Sequence, residues 1–225
     1  MREIALDTET TGLDPAAGHR VVEIGCVELI NRLPTGRVYH QYLNPDRAMP
    51  EEAQAVHGLS EEFLADKPRF AEVAQDFLDF IQSDTLVIHN ADFDMGFLNA
   101  ELARLGLAAL PKSQAVDTVR MARDRFPGAR ASLDALCKRF GIDNSERTLH
   151  GALLDADLLA SVYLELTGGR QPGLALAATT QETAGVTRLQ RVSRPPRPHA
   201  ASPQEEKTHA EFLKKLKDPI WLADG

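Results

Sequence analysis

Close to its start the chain runs Ile4-Ala5-Leu6-Asp7-Thr8-Glu9-Thr10-Thr11-Gly12, an apolar stretch that ends in two carboxylates and then a turn. The apolar residues read as a β-strand, and side chains two apart on a strand project from one face. Asp7 and Glu9 are therefore neighbours in space. Crowded carboxylates repel, and at least one pKa rises unless a cation neutralises them. A hard divalent ion suits that role, because Mg²⁺ takes oxygen ligands and is commonly held by one or two carboxylates plus a substrate phosphate. A solvated strand end with two acids would look the same in this segment alone, and two later segments separate the possibilities.

The first is His89-Asn90-Ala91-Asp92-Phe93-Asp94, which follows the buried-looking strand Thr85-Leu86-Val87-Ile88 and opens a helix through Phe97, Leu98, Glu101, Leu102 and Leu105. The second is His150-Gly151-Ala152-Leu153-Leu154-Asp155. In the helix that follows, Leu158, Leu159, Val162 and Leu166 place Asp155 in the middle of an apolar stripe. Leu153 and Leu164 fall off that stripe. Asp157 projects about 200° away from Asp155 at 100° per residue. A carboxylate on the core-facing stripe is costly without a partner, whereas one on the opposite side is ordinary. Asp155 has no partner evident in the sequence and needs an explanation; Asp157 does not.

The set Asp7-x-Glu9, Asp94 inside His-Asn-Ala-x-Phe-Asp, and His150-x4-Asp155 resembles the three-motif signature of the DEDDh 3′–5′ exonucleases, over roughly Arg2 to Gly169. The resemblance implies an α/β, ribonuclease H-like fold with a mixed sheet flanked by helices. It implies two divalent ions, Mg²⁺ or Mn²⁺, which clamp the attacking and leaving oxygens of an in-line displacement. In that family's pattern, Asp7, Glu9 and Asp155 hold the ion carrying the nucleophilic water. Asp7 bridges to a second ion that Asp94 completes, and His150 is the general base. The same resemblance makes Thr10, Thr11, Gly12, His57, Asn90 and Phe93 candidates for gripping the terminal nucleotide. Read from the residues alone, Gly12 serves a turn, Phe93 the core and Asn90 a helix cap equally well.

With 225 residues and 43% hydrophobic content, the chain can bury one full core and still carry a tail. Cys26 and Cys137 sit in apolar periodic segments and read as small core residues without a disulfide framework. Nothing is long and apolar enough to span a bilayer, and no charged start leads into an apolar stretch; a soluble, unexported, cytoplasmic protein is expected. Formal net charge is -8. Proteins that hold DNA unaided usually carry a basic footprint, so strong autonomous duplex binding is not expected.

The coarse order is strand, strand, strand, helix, strand, helix, short strand, then helices. The second and third strands, near Arg20–Ile30 and Gly36–Asn44, should form a hairpin turned by Asn31, Pro34 and Gly36. Asp117 and Ser132 read as helix N-caps, and Gly141 as a helix stop.

From 170 to 203 the composition shifts to Ala, Thr, Gln, Arg and Pro without apolar period, which predicts a disordered linker spanning about 30–35 Å root-mean-square. Residues 204–225 regain helical character, with Phe212, Leu213 and Leu216 in a stripe and Trp221 beyond. Such a segment has no core of its own and predicts docking on a partner. An exonuclease domain at 1–169, a linker and a docking tail together resemble the proofreading subunits of bacterial DNA polymerase III. That resemblance implies a tail bound to the alpha (polymerase) subunit, a single-stranded 3′ end of DNA as substrate, and a place at the replisome. Gln171, Leu174 and Leu176 further resemble a clamp-binding motif, with Leu176 where stronger versions carry an aromatic, so sliding-clamp binding should be weak. Two rivals share parts of this pattern: a stand-alone DEDDh nuclease trimming RNA or short oligonucleotides, and a non-catalytic adaptor between polymerase and clamp.

Overall fold

A computed structural model describes residues 1–145, 147, 149–169 and 200–216. The chain divides into two units, Met1–Ala175 and Leu176–Gly225. The first is built on a five-stranded sheet of β1 (Arg2–Thr10), β2 (Val21–Ile30), β3 (Leu33–Tyr42), β4 (Thr85–Ile88) and β5 (Ala115–Asp117), in the order β3-β2-β1-β4-β5. β1, β2 and β3 are antiparallel neighbours, while β4 and β5 run parallel to β1. The expected mixed sheet is present.

β1 is the middle strand and is covered on both faces, which is why Ile4-Ala5-Leu6 is continuously apolar and does not alternate. Ile4 and Leu6 join a core with α3 (Phe70–Ile81) and α4 (Ala91–Arg104). Ala5 joins a second core with α5 (Thr118–Arg125), α6 (Leu133–Phe140) and α7 (Ala152–Leu166). Leu158, Leu159, Val162 and Leu166 of α7 are all buried, as their stripe predicts, and Asp157 is exposed. At roughly 1.5–3 kcal/mol for each such side chain, that stripe can hold Asp155 inward against the cost of its desolvation. Cys26 and Cys137 are buried free thiols. Asp117 caps α5 by accepting from Val119 N at 2.8 Å, Ser132 caps α6, and Gly141 ends it in the left-handed region.

The β2–β3 hairpin differs from its sequence reading. The chain turns at Asn31 and Arg32, both with positive φ, and β3 begins at Leu33 with Pro34 already paired to Leu29. Positive φ at both central positions is what a tight two-residue hairpin demands, and asparagine tolerates it. Pro34 is accommodated where the register slips between Val27 and Leu29. Two short helices, α1 (Glu51–His57) and α2 (Glu61–Leu64), also occupy a stretch in which the sequence reading placed no element. In the second unit, Ser202 caps α8 (Pro203–Leu213) through a capping box with Glu205. Phe212 is exposed and Leu213 buried, while Leu216 keeps much of its surface open. The linker, the clamp-like residues Gln171, Leu174 and Leu176, and Trp221 lie outside the described residues. No helix among those described is long and apolar enough to cross a membrane.

Candidate active site

The two faces of β1 set the site. Its odd positions face α7: the Tyr163 hydroxyl donates to Glu3 Oε1 at 2.7 Å, and Ala5 packs in the α7 core. Asp7 and Glu9 continue that row at the strand's carboxyl end. Thr8, between them, points the other way, toward the first turn of α4. There its hydroxyl and backbone N–H both donate to Asp94 Oδ1, at 2.7 and 3.0 Å. Asp94 is fully buried in the helix's first turn, where the amino end of a helix favours negative charge.

α7 reaches the same strand end because of a glycine. Strand register sets Gly25 opposite Asp7, and a Cβ at Gly25 would overlap the backbone of Ala152 and Leu153. The amino end of α7 thus touches β2 directly, carrying Asp155 and the preceding His150 up to the β1 acids. One ligand atom each from Glu9, His150 and Asp155 lie within 4.8 Å of one another. His150 N donates to Val56 O at 3.1 Å, which ties this segment to the end of α1.

Electrostatically the cluster is strained. Burial, then repulsion from Asp94, Glu9 and Asp155, pushes Asp7 well above the usual carboxylate range. Burial pushes Glu9 up to about 8, with Asp155, Glu23 and Asp94 adding to it. Burial raises Asp94 to about 7, against the lowering effect of the Thr8 hydrogen bonds. Three crowded acids that resist ionisation around one opening are what a divalent cation relieves. Their oxygen-rich donor set fits a hard ion.

Asp155 is not unpaired, which corrects the expectation from sequence. Arg147 Nε donates to Asp155 Oδ1 at 2.5 Å, and Arg147 Nη2 donates to Asp155 Oδ2 at 2.7 Å. The same guanidinium donates from Nη1 to Asp134 Oδ1 at 2.9 Å, and its Nη2 lies 3.0 Å from His150 Nδ1. Sequence reasoning passed over Arg147, although a buried carboxylate demands a cation and this one stands three residues before His150. Thr8 and Gly25 were passed over too. Neither residue type announces its role; both act through strand register.

All of these acids and His150 line one cavity of about 820 Å³, and so do Thr10, Thr11, Gly12, His57, Asn90 and Phe93. Thr10 Oγ1 donates to Gly12 O at 2.6 Å, closing the turn, while Thr11 Oγ1 accepts from Arg20 N at 3.0 Å. His57 Nδ1 accepts from Leu59 N at 3.0 Å, so in the neutral ring Nε2 carries the proton. That Nε2 is buried and finds no partner among the described residues, and burial lowers the ring's pKa. Asn90 is the exposed, left-handed residue that starts α4, and its side chain makes no capping bond. Phe93 is half-buried against Phe97, with ring centroids 5.0 Å apart.

Clustered acids at the carboxyl end of a central strand, with an imidazole beside them, define a nuclease cleft on a ribonuclease H-like sheet. A family model described as Exonuclease matches residues 4–163. A DNA polymerase III subunit epsilon of Rickettsia typhi is 51% identical over 222 residues, covering 96% of this chain and 97% of that one. One from Rickettsia felis is 57% identical over 186 residues, 81% of each chain, and one from Escherichia coli is 50% identical over 202 residues, 86% of this chain and 83% of that one. Among solved structures, Exonuclease X in complex with 5′ overhanging duplex DNA has a TM-score of 0.58 at 29% identity, covering 74% of this chain and 90% of that one. The nuclease domain of 3′hExo, bound to rAMP, shares the fold with a TM-score of 0.64 at 17% identity, covering 74% and 91%.

The chain belongs to the exonuclease family and, within it, to the DNA polymerase III epsilon subunits. It is a 3′–5′ exonuclease with a proofreading function, in a family that depends on divalent metal.

Proposed function

We propose that this chain removes mispaired 3′-terminal nucleotides from DNA by hydrolysis at two divalent ions, Mg²⁺ or Mn²⁺, releasing nucleoside 5′-monophosphates. The observation that carries it is the convergence of Asp7, Glu9, Asp94, Asp155 and His150 on one cavity. Asp7, Glu9 and Asp155 would hold one ion, and Asp94 with Asp7 would hold the other. Ions bound there would supply a more acidic water and neutralisation of charge in the displacement. His150, exposed at the cavity rim, is placed to take a proton from an attacking water, whose oxygen bonds to phosphorus as the bond to the neighbouring 3′ oxygen breaks and that oxygen leaves to take a proton from solvent. The Thr10–Gly12 turn, the His57 Nε2–H, Asn90 and Phe93 hold the terminal nucleotide.

A mispaired terminus unpairs at lower cost than a matched one, so a site that needs a single-stranded end removes errors preferentially without reading bases. Net charge of -8 leaves little to hold DNA unaided. A tail, 204–225, docked on the alpha (polymerase) subunit would supply the missing affinity as effective concentration in the bacterial cytoplasm. Weak engagement of the sliding clamp through Gln171, Leu174 and Leu176 would add to it.

The test compares the full chain with a form lacking 204–225 on single strands and on primers with paired or mispaired ends, with and without the polymerase subunit. Both forms should release 5′-monophosphates from single strands in Mg²⁺ and not in EDTA, mispaired ends should be removed faster, and only the full chain should co-purify with the polymerase. A nuclease-dead protein with all metals supplied defeats the catalytic reading; co-purification that survives the deletion defeats the tether.

A further inference from the structure

We infer that Arg147 is the built-in counter-cation of the acidic cavity, and that a divalent ion binding Asp155 must displace it, so that this one side chain sets how readily the site loads. The inference rests on the reading of Asp155 as a metal ligand. Both oxygens of Asp155 are taken by the guanidinium, at 2.5 and 2.7 Å, and the two side chains are 3% and 8% exposed. Paired donors from a planar fork make this the strongest ordinary form of ion pair, and arginine has no route to relief by losing its proton.

Metal and guanidinium cannot both keep that carboxylate comfortably. The ligand atoms of Glu9, His150 and Asp155 crowd within 4.8 Å, so an ion on Glu9 and Asp155 sits against the guanidinium. Like charges at such range in a buried cavity repel strongly. Movement is the remaining relief, and the geometry supplies a pivot. Nη1 is anchored on a second carboxylate, the exposed Asp134, so the fork can swing off Asp155 while keeping one ion pair. Its Nη2 also lies beside His150 Nδ1, so the same swing frees the imidazole. Arg147 is thus a positioning residue: it holds Asp155 and His150 in place until a metal takes over that work.

The experiment uses the full chain as wild type, Arg147→Gln, Arg147→Lys and Asp155→Asn. Mn²⁺ binding is followed by calorimetry and by the electron paramagnetic resonance of free Mn²⁺, melting is followed in EDTA, and the Arg147 Nε–H resonance is followed by ¹⁵N NMR during Mg²⁺ titration. Arg147→Gln should melt lower in EDTA yet bind its first Mn²⁺ roughly tenfold more tightly, with Arg147→Lys between it and wild type. In wild type the Nε–H should be shifted downfield and exchange slowly in EDTA, and lose both properties as Mg²⁺ saturates. An Nε–H signal unmoved at saturating Mg²⁺, or an Arg147→Gln protein with wild-type or weaker Mn²⁺ affinity, overturns the inference. The NMR arm needs no variant to fold. Wild-type Mn²⁺ binding by Asp155→Asn would instead mean that the metal-site reading itself has failed.

Discussion

The two halves of the site are held by different means. Asp7, Glu9 and Asp94 are positioned by backbone: the register of β1 points the first two toward α7, and Thr8 fixes the third from the opposite face. Asp155 and His150 are positioned by side chains: an arginine from the segment before α7 grips both, and a glycine lets the helix come close. The first half is therefore an array of mutually repelling acids, the second a satisfied ion pair. Removing one carboxylate from each half should show this most sharply. Asp7→Asn and Asp155→Asn should each lower turnover on single-stranded DNA on the order of a thousandfold or more. Their effects on folding should have opposite signs. Without metal, Asp7→Asn relieves repulsion and should melt no lower than wild type, whereas Asp155→Asn leaves a buried guanidinium with only the exposed Asp134 as its ion pair and should lose roughly 3 kcal/mol. Denaturant melts in EDTA make the comparison; equal destabilisation by both would erase the distinction.

pH sharpens the same contrast at the next scale. The folded pKa of Glu9, about 8, and that of Asp94, about 7, lie above the ordinary values of 4.5 and 3.8 from which burial raises them. A raised folded pKa means that the native state binds more protons than the unfolded chain, so this stability is present below about pH 4 and is lost as pH climbs through 7 to 8. In EDTA the protein should weaken by a few kcal/mol between pH 5 and pH 9, the individual contributions overlapping because the acids interact. Mg²⁺ should flatten the slope, since metal replaces protons as the source of neutralisation. A melting profile in EDTA that rises over that range would contradict the repulsive half.

Gly25 is where the halves join. Gly25→Ala sets a methyl group against the backbone at the start of α7, and overpacking of that kind costs about 1–3 kcal/mol. Activity should fall further than stability alone explains, because Asp155 and His150 retreat together while Asp7, Glu9 and Asp94 stay. A variant with normal Mg²⁺-dependent turnover would show that close approach of α7 is unnecessary.

How much of this was legible in the sequence follows the same division. The acids of β1 stand out because strand periodicity fixes which way a side chain points, Asp94 stands out only through the family's motif, and Asp155 stands out as a charge on an apolar stripe. The mixed sheet followed from the family resemblance, and the caps at Asp117 and Ser132 from local chemistry. What stayed hidden depends on long-range register. Arg147 lies in an irregular segment where no periodicity assigns a direction, so the partner of Asp155 could be demanded but not named. Gly25 looks like any strand glycine until its cross-strand neighbour and the incoming helix are known. The hairpin was misplaced because Pro34 and Gly36 are strong turn residues, whereas the turn itself falls on Asn31 and Arg32.

Thr8→Val gives the smallest effect and the finest resolution. Valine keeps the shape and the backbone N–H bond to Asp94, and removes only the hydroxyl that donates at 2.7 Å. A hydrogen bond to a charged group is worth about 1.5–3 kcal/mol, part of which the remaining bond and relaxation recover, so turnover should fall roughly tenfold or less with little change in melting. The direction of the pH shift is the sharper signal. The Thr8 bonds hold the Asp94 pKa down against burial, so losing one must raise it, and the acid limb of turnover should move to higher pH. Because Thr8 belongs to the backbone-set half, the Arg147 Nε–H signal should not respond. An unmoved acid limb would mean that Asp94 owes its ionisation to something other than the threonine wedged between the two acids of β1.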